Sequence, residues 1–293
     1  MRKILILFNC LYGHLLKLCI NLGVLTIPYL RTNCNCNIVV SLTSYGRRVK
    51  EGVVYYTLVS LLRQKVQPKR IILWLAETEW TEDTLPANLR QLEDKGVEIR
   101  YCPDIHSYKK LIPVLKLCPI DNVLTVDDDV IYSSDLVEMA FREHKKYPND
   151  IICFSALIPE MDNGIPQRYS RWKVPHQNVS DKLLFPVGVG GILYPPGSLH
   201  KDVLDDALFG MLCPSADDIW FWFNSMRRDT IKHFVRKRGR DYSFDALYQY
   251  FHKGTALTQI NRFEHRNDKQ FINLFKYYDC VISTRDGLQY NPD

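Results

Sequence analysis

Asn122 to Ile131 reads NVLTVDDDVI. Asn122 to Val126 is a short apolar run rich in β-branched residues, the pattern of a buried strand. It leads directly into Asp127, Asp128 and Asp129. Three adjacent carboxylates repel one another, so a fold gathers them only where a cation or several donors compensate. A hard divalent ion is the natural partner, since Mg2+ commonly bridges one or two carboxylates to substrate phosphates. If the segment stays extended, Asp127 and Asp129 face one side and Asp128 the other. The plainer alternative is an acidic loop that is solvated or caps the next helix.

Upstream, strand-like and helix-like stretches alternate. Ile38 to Leu42 (IVVSL) reads as a buried strand ending in Thr43-Ser44-Tyr45-Gly46. Val53, Val54, Thr57, Leu58, Leu61 and Leu62 recur at helical spacing, closed by Pro68. Arg70 to Ala76 is a second strand, and Leu85 to Lys95 a helix stopped by Gly96. Val97 to Cys102 is a third strand, and Tyr108 to Leu117 a helix with Pro113 near its start or at a kink. After the aspartates, Ser134-Asp135 caps a helix to about Tyr147, and Ile151 to Ser155 is a fifth strand. Such repeats predict an α/β fold with a mostly parallel sheet covered by helices on both faces. Ligands of such sheets bind beyond the carboxyl ends of the strands. That rim holds Thr43 to Arg48 and the three aspartates. From residue 157 to 198 the pattern becomes irregular and rich in Pro and Gly, longer than a mere connection needs. The C-terminal part is read as helical.

The 293 residues, 46 % hydrophobic and 24 % charged, provide for a substantial core and exclude collagen-like or broadly disordered chains. A net charge of +5 does not point to nucleic acid, and no nucleic-acid-binding module accompanies it. The nine cysteines include no CxxC pair and several sit in apolar runs, which predicts reduced thiols rather than a disulfide scaffold or zinc site. Residues 1–36 form an apolar N-terminal segment interrupted by Lys17, too broken for a good spanning helix and without a signal-peptide cleavage pattern. The favoured expectation is an interfacial helix with Lys17 snorkelling; a poor span and a helix packed on the domain are the alternatives. The basic stretch Arg227 to Arg240 would supply a second attachment signal, or else is an ordinary exposed face.

The VDDDV string resembles the DxD motif of GT-A-fold glycosyltransferases. The resemblance runs from Ile38 to about Met226, through SLTSYGRR, TLVSLLRQKVQPKRIILWLA, VDDDV, GVGGILYPPGSL and SADDIWFWF. The acidic strings are similar to exostosin-type transferases, and GGILYPPGSL is closer to bacterial capsular and surface polysaccharide enzymes. The resemblance implies a GT-A domain over 37–293, with a nucleotide-sugar half (37–132), an acceptor half (133–240) and a C-terminal extension (241–293). It implies a Mn2+- or Mg2+-dependent transfer from a nucleotide-diphosphate sugar, UDP-sugars favoured, to a glycan or lipid-linked glycan at the cytoplasmic face of a membrane. Oligomers are compatible with the sequence.

Under that resemblance Asp129 and Asp127 would hold the metal, Asp127 also reaching ribose or metal-bound water, and Asp128 would join the nucleotide site. Thr43, Tyr45, Arg47, Lys109 and Lys110 would line the diphosphate and base, with Arg48 beside them; solvated surface is the alternative for either basic pair. Gly190 and Gly191 would let backbone approach a sugar, a plain turn being the alternative. Asp218, with Asp217, would handle the acceptor hydroxyl proton. Ser215-x-x-Asp218 also reads as a helix capping box. Two other functions compete: a haloacid-dehalogenase-type phosphohydrolase with Asp127 as nucleophile, and a non-catalytic nucleotide-binding membrane scaffold.

Overall fold

The computed structural model describes residues 2–30, 36–236, 242–243, 266–283 and 287–290. The chain divides into two compact units. The first comprises residues 1–105, 109–143 and 237–253, the second 106–108, 144–236 and 254–293. Lys237 to Arg240 of the basic stretch lie outside the described residues.

The first unit opens with α1 (Arg2–Asn21). Its sheet has four parallel strands, β1 (Ile38–Thr43), β2 (Arg70–Ala76), β3 (Val97–Cys102) and β4 (Asn122–Thr125), in spatial order β4-β1-β2-β3. β1 lies inside the sheet between β4 and β2, and four of its six residues are apolar and five are buried. The α/β prediction with a mostly parallel sheet therefore holds. Between the strands run α2 (Gly46–Lys50), α3 (Val53–Leu62), α4 (Ala87–Glu93) and α5 (Ile112–Leu117). Val54, Leu58, Leu61 and Leu62 of α3 are buried, as their spacing requires. Pro113 sits in the first turn of α5, where its missing N–H costs nothing. A two-residue strand β5 (Val130–Ile131) follows the aspartates and pairs with Tyr242–Ser243, and α6 (Leu136–Lys146) comes next.

The strand order carries the functional consequence. Chain order runs outward from β1 through β2 to β3, then returns to the other side of β1 for β4. Ligands of open α/β sheets bind at this kind of reversal, beyond the carboxyl ends of the two strands. SYGRR follows β1 and DDD follows β4.

One sequence expectation changes at α1. Lys17 does not reach outward; its ammonium lies 5.0 Å from the centroid of the Tyr56 ring. The Tyr56 hydroxyl donates to Asn21 Oδ1 (3.0 Å), and Leu16 packs beside Val53 and Ile131. Among the described residues no helix is long and apolar enough to cross a membrane.

The second unit has a mixed sheet of β6 (Ile151–Cys153), β7 (Val179–Asp181), β8 (Ile192–Tyr194) and β9 (Lys232–Phe234), in order β7-β9-β6-β8. β6 and β9 are parallel, and the outer pairs antiparallel. Residues 157–198 contain short paired segments instead of open loop: Met161–Asp162 with Ile165–Pro166, and Phe185–Pro186 with Ala156–Leu157. Their packing is aromatic. Trp172 and Phe185 meet Trp222 of α8 (Asp217–Met226) and Phe271 of α9 (Arg266–Tyr277), with ring centroids 5.1 to 6.2 Å apart. α7 (Asp206–Leu212) precedes α8. The C-terminal part is helical in α9 and then forms an unforeseen hairpin, Cys280–Ser283 with Gly287–Tyr290. All seven cysteines whose side chains are described are free thiols, in line with the reduced reading.

The basic stretch is partly consumed inside this unit. Arg227 donates to Asp202 (2.7 Å) and its guanidinium lies over the Tyr278 ring at 4.3 Å. Arg228 Nε donates to the Gly197 carbonyl. A continuous free basic face is therefore not what Arg227 and Arg228 form.

Candidate active site

At the β1/β4 reversal the three aspartates meet the segment after β1. The strand ends at Thr125 and Asp128 and Asp129 lie in a turn, so the alternation expected of an extended segment does not apply. Asp128 and Asp129 instead converge on one cation. Arg48 Nη1 donates to Asp128 Oδ1, and Arg48 Nη2 donates to Asp129 Oδ2 at 2.8 Å. The planar guanidinium spans two neighbouring carboxylates as a fork, a geometry lysine cannot supply. Ser44 Oγ donates to the other Asp128 oxygen at 2.5 Å, and Thr57 Oγ1 donates to the Asp128 carbonyl at 2.8 Å. Asp128 is thus buried and held by β1-side groups, while Arg48 also lies 5.4 Å from the Tyr45 ring centroid.

Asp127 has the most exposed carboxylate of the three; its side chain retains 30 % of its accessible surface, against 7 % for Asp128 and 11 % for Asp129. Its backbone N–H donates to the Tyr132 hydroxyl (2.8 Å), and Lys110 Nζ is 4.0 Å from Asp127 Oδ1. Lys110 is buried and is positioned by its own carbonyl, which accepts from Ser41 Oγ (2.7 Å) in β1. The rim therefore brings together Arg48, Lys110 and all three aspartates. Tyr45 is half exposed beside them. Three further candidates are engaged elsewhere in this unit. Thr43 Oγ1 donates to the Trp74 carbonyl of β2, Arg47 lies 3.8 Å from Glu51, and Lys109 is paired with Asp104.

The donor set suits a hard divalent ion, since Asp127 and Asp129 offer only oxygen. Among the described residues no group of three or more His, Cys, Asp or Glu side chains is arranged to hold a metal.

In the second unit, Asp217 and Asp218 open α8. The capping-box reading of Ser215 is corrected. Ala216 is the N-cap and makes no side-chain cap bond, while Ser215 instead exchanges hydrogen bonds with Gln270 (3.1 and 3.2 Å). Asp217 is buried in the first turn, where a negative charge gains from the helix dipole. Asp218 Oδ2 accepts the Gly188 backbone N–H at 3.3 Å. The glycine segment and the acidic pair therefore belong to one local structure. Gly188–Gly190 is a single 3-10 turn, and Gly191 takes φ 93°, a conformation suited to glycine. A Cβ at Gly190 would stand 2.7 Å from the Phe154 carbonyl carbon and 2.8 Å from Ser155 N, so this turn is pressed onto backbone. Tyr108 lies in the same unit, its hydroxyl donating to the Cys213 carbonyl (2.6 Å) and its ring stacked on Phe209 at 4.0 Å. Burial, with the negative charges of Asp217 and Asp218 adding to it, pushes its phenol pKa far up, so Tyr108 remains a neutral donor.

Ser44 falls inside the Thr43–Arg48 stretch expected at the rim, but its hydrogen bond to Asp128 was not anticipated.

No family model matches the chain, and no curated relative does. Similar solved structures include S. aureus TarS 1–349, at 14 % identity and TM-score 0.46, covering 83 % of this chain and 72 % of that one. The same region in complex with UDP gives 15 % and 0.46, with the same coverage. UDP-glucose pyrophosphorylase complexed with UDP-glucose gives 10 % and 0.41, covering 74 % of this chain and 98 % of that one. At these identities and scores the likeness does not extend to activity.

Proposed function

We propose that the chain is a metal-dependent glycosyltransferase that moves a sugar from a nucleotide diphosphate, UDP-sugars favoured, to a glycan or lipid-linked glycan in surface polysaccharide synthesis. The observation that carries this reading is the reversal rim. There the loops after β1 and β4, with Lys110 from the segment after β3, bring one arginine, one lysine and three carboxylates together. Such a mixture suits a diphosphate with its counter-ion better than it suits either alone.

Asp127 and Asp129 would hold Mn2+ or Mg2+, which when bound offsets the charge that grows on the departing diphosphate. Arg48 and Lys110 add positive charge at the same rim. The Tyr45 ring is available for stacking against the base, and the Asp128 carboxylate keeps the Arg48 guanidinium oriented. In the acceptor half, Asp218 is held by Gly188 N–H and takes the acceptor hydroxyl proton in an inverting transfer, or orients the acceptor in a retaining one. The acceptor oxygen forms its bond to the anomeric carbon as the bond from that carbon to the diphosphate oxygen breaks. The proton ends on Asp218 in the inverting case.

The test is hydrolysis of a panel of nucleotide sugars with Mn2+, which reports donor class without a known acceptor. Asp129→Asn should lower the metal-dependent rate at least 100-fold while the circular dichroism spectrum stays unchanged. An Asp129→Asn protein with undiminished Mn2+-dependent turnover would overturn the assignment.

A further inference from the structure

We propose that Ser180, His233 and Asp150 form a nucleophile–base relay in which Ser180 takes the acyl group of an activated carboxylic ester. Ser180 Oγ lies 2.6 Å from His233 Nδ1, and His233 Nε2 lies 2.9 Å from Asp150 Oδ2. All three belong to the second unit, and none takes part in the proposed sugar transfer. The sheet sets them side by side. Ser180 in β7 stands directly opposite His233 in the antiparallel β9, and His233 is paired with Ile152 of β6. Asp150, immediately before β6, reaches the far nitrogen of the same ring. The Tyr147 ring stacks on the imidazole at 3.8 Å and 14°, which fixes its plane.

The direction of the hydrogen bonds decides the chemistry. An ionised carboxylate only accepts, so in the neutral imidazole Nε2 carries the hydrogen and Nδ1 the lone pair. The Ser180 hydroxyl therefore donates to Nδ1, its proton aimed at a base. A tie between two strands needs only the serine and the histidine. The carboxylate behind the ring and the tyrosine over it add orientation, which a general base requires. Exposure is arranged to match. β7 is the outermost strand and Ser180 is exposed on it, whereas His233 is 5 % exposed. The nucleophile can be reached while its base is screened. Ile231, two residues before His233 and so on its side of the strand, is partly exposed, as is Tyr147. These apolar neighbours suit an acyl chain better than a charged group.

Ser180 Oγ bonds to the ester carbonyl carbon as its proton passes to His233 Nδ1. The bond from that carbon to the leaving oxygen breaks, and an activated leaving group departs as its anion. His233 then releases the proton to solvent. Water repeats the attack with His233 as base; the acyl–Ser180 bond breaks, the serine recovers its proton from His233, and a carboxylate leaves with one proton passing to solvent. Ser180 and His233 are the catalytic residues, and Asp150 and Tyr147 position the ring. This proposal does not depend on the sugar-transfer reading.

The test treats the full chain with a fluorophosphonate probe, in which the Ser180 oxygen would bond to phosphorus as fluoride leaves, and separately with p-nitrophenyl butyrate. Mass spectrometry should place one adduct on Ser180. Ser180→Ala, at an exposed position that does not threaten the fold, should lose the adduct and at least tenfold of the ester hydrolysis. Asp150→Asn keeps the shape but can offer an N–H to the ring and reverse its tautomer. It should slow labelling of Ser180 at least tenfold with an unchanged circular dichroism spectrum. A folded wild-type chain without an adduct on Ser180, or Asp150→Asn labelled as fast as wild type, overturns the proposal; the second result would leave the hydrogen bonds a structural tie.

Discussion

Lys232 provides the sharpest stability test. It sits in β9 with no exposed surface, its ammonium donating to the Lys182 carbonyl. Burial lowers its pKa from 10.5 to about 7, against the opposing pull of Asp181, Cys153 and Asp229. In the unfolded chain the same lysine stays protonated to about 10.5, so between pH 7 and 10.5 the unfolded state binds more protons. Stability must then rise with pH across that window, by at most about 5 kcal/mol in all, since a pH unit of separation corresponds to a little over 1 kcal/mol. From pH 7 to 8.5 the gain should be about 2 kcal/mol. Lys232→Met removes the titrating group with little change of shape. It leaves the Lys182 carbonyl without this donor, which shifts stability by a constant amount and leaves the slope alone. The thiols of Cys102 and Cys213, raised by burial, ionise first in the unfolded chain and oppose the trend, but they do so in both proteins. Urea unfolding at pH 7.0, 7.75 and 8.5 therefore gives a wild-type-minus-variant difference that isolates Lys232. Parallel curves for the two proteins would refute the reasoning.

Other outcomes follow from local geometry. Gly190→Ala forces a methyl onto the Phe154–Ser155 backbone and should destabilise by about 2 kcal/mol or more in chemical denaturation. It should also lower turnover by disturbing the Gly188 contact to Asp218. Tyr108→Phe loses one buried hydrogen bond to the Cys213 carbonyl and should cost about 1 kcal/mol, read as a lowered denaturation midpoint. Glu98, paired with Arg70 at 2.5 and 2.6 Å, has its pKa lowered chiefly by that hydrogen bond. The stabilisation it contributes is present above 4.5 and disappears as pH falls through the lowered value. Glu98→Gln should flatten the acid limb of the stability curve and leave its neutral region nearly parallel to wild type.

Long, continuous patterns were legible in the sequence. β2 and β3 fall where Arg70 to Ala76 and Val97 to Cys102 were expected, because an apolar run after Pro68 and an alternating run after Gly96 leave little room for another reading. α4 is shorter than expected, beginning only after Pro86. The paired segments between 156 and 186 are two residues long, below any periodicity. The C-terminal hairpin is built from two strands of four residues each, Cys280–Ser283 and Gly287–Tyr290, too short to stand out by periodicity. Within the rim, the acidic string marked the place but not the partners. Arg48 and Asp128 are 80 residues apart, and only the strand order β4-β1 brings them together. The alternation argument failed at Asp128 because it assumed that extended backbone continues through a segment that in fact turns.

The Arg48 fork has a consequence for how the protein is made and handled. Three adjacent carboxylates would ordinarily make folding depend on a divalent ion, as in small domains that collapse only when loaded. Here a side chain of the chain itself bridges two of them and offsets one of their charges through contacts to Asp128 and Asp129. The first unit can therefore mature in chelator, and its thermal midpoint should be insensitive to EDTA. Cation supply is thereby relieved of any part in assembly and left to govern activity alone.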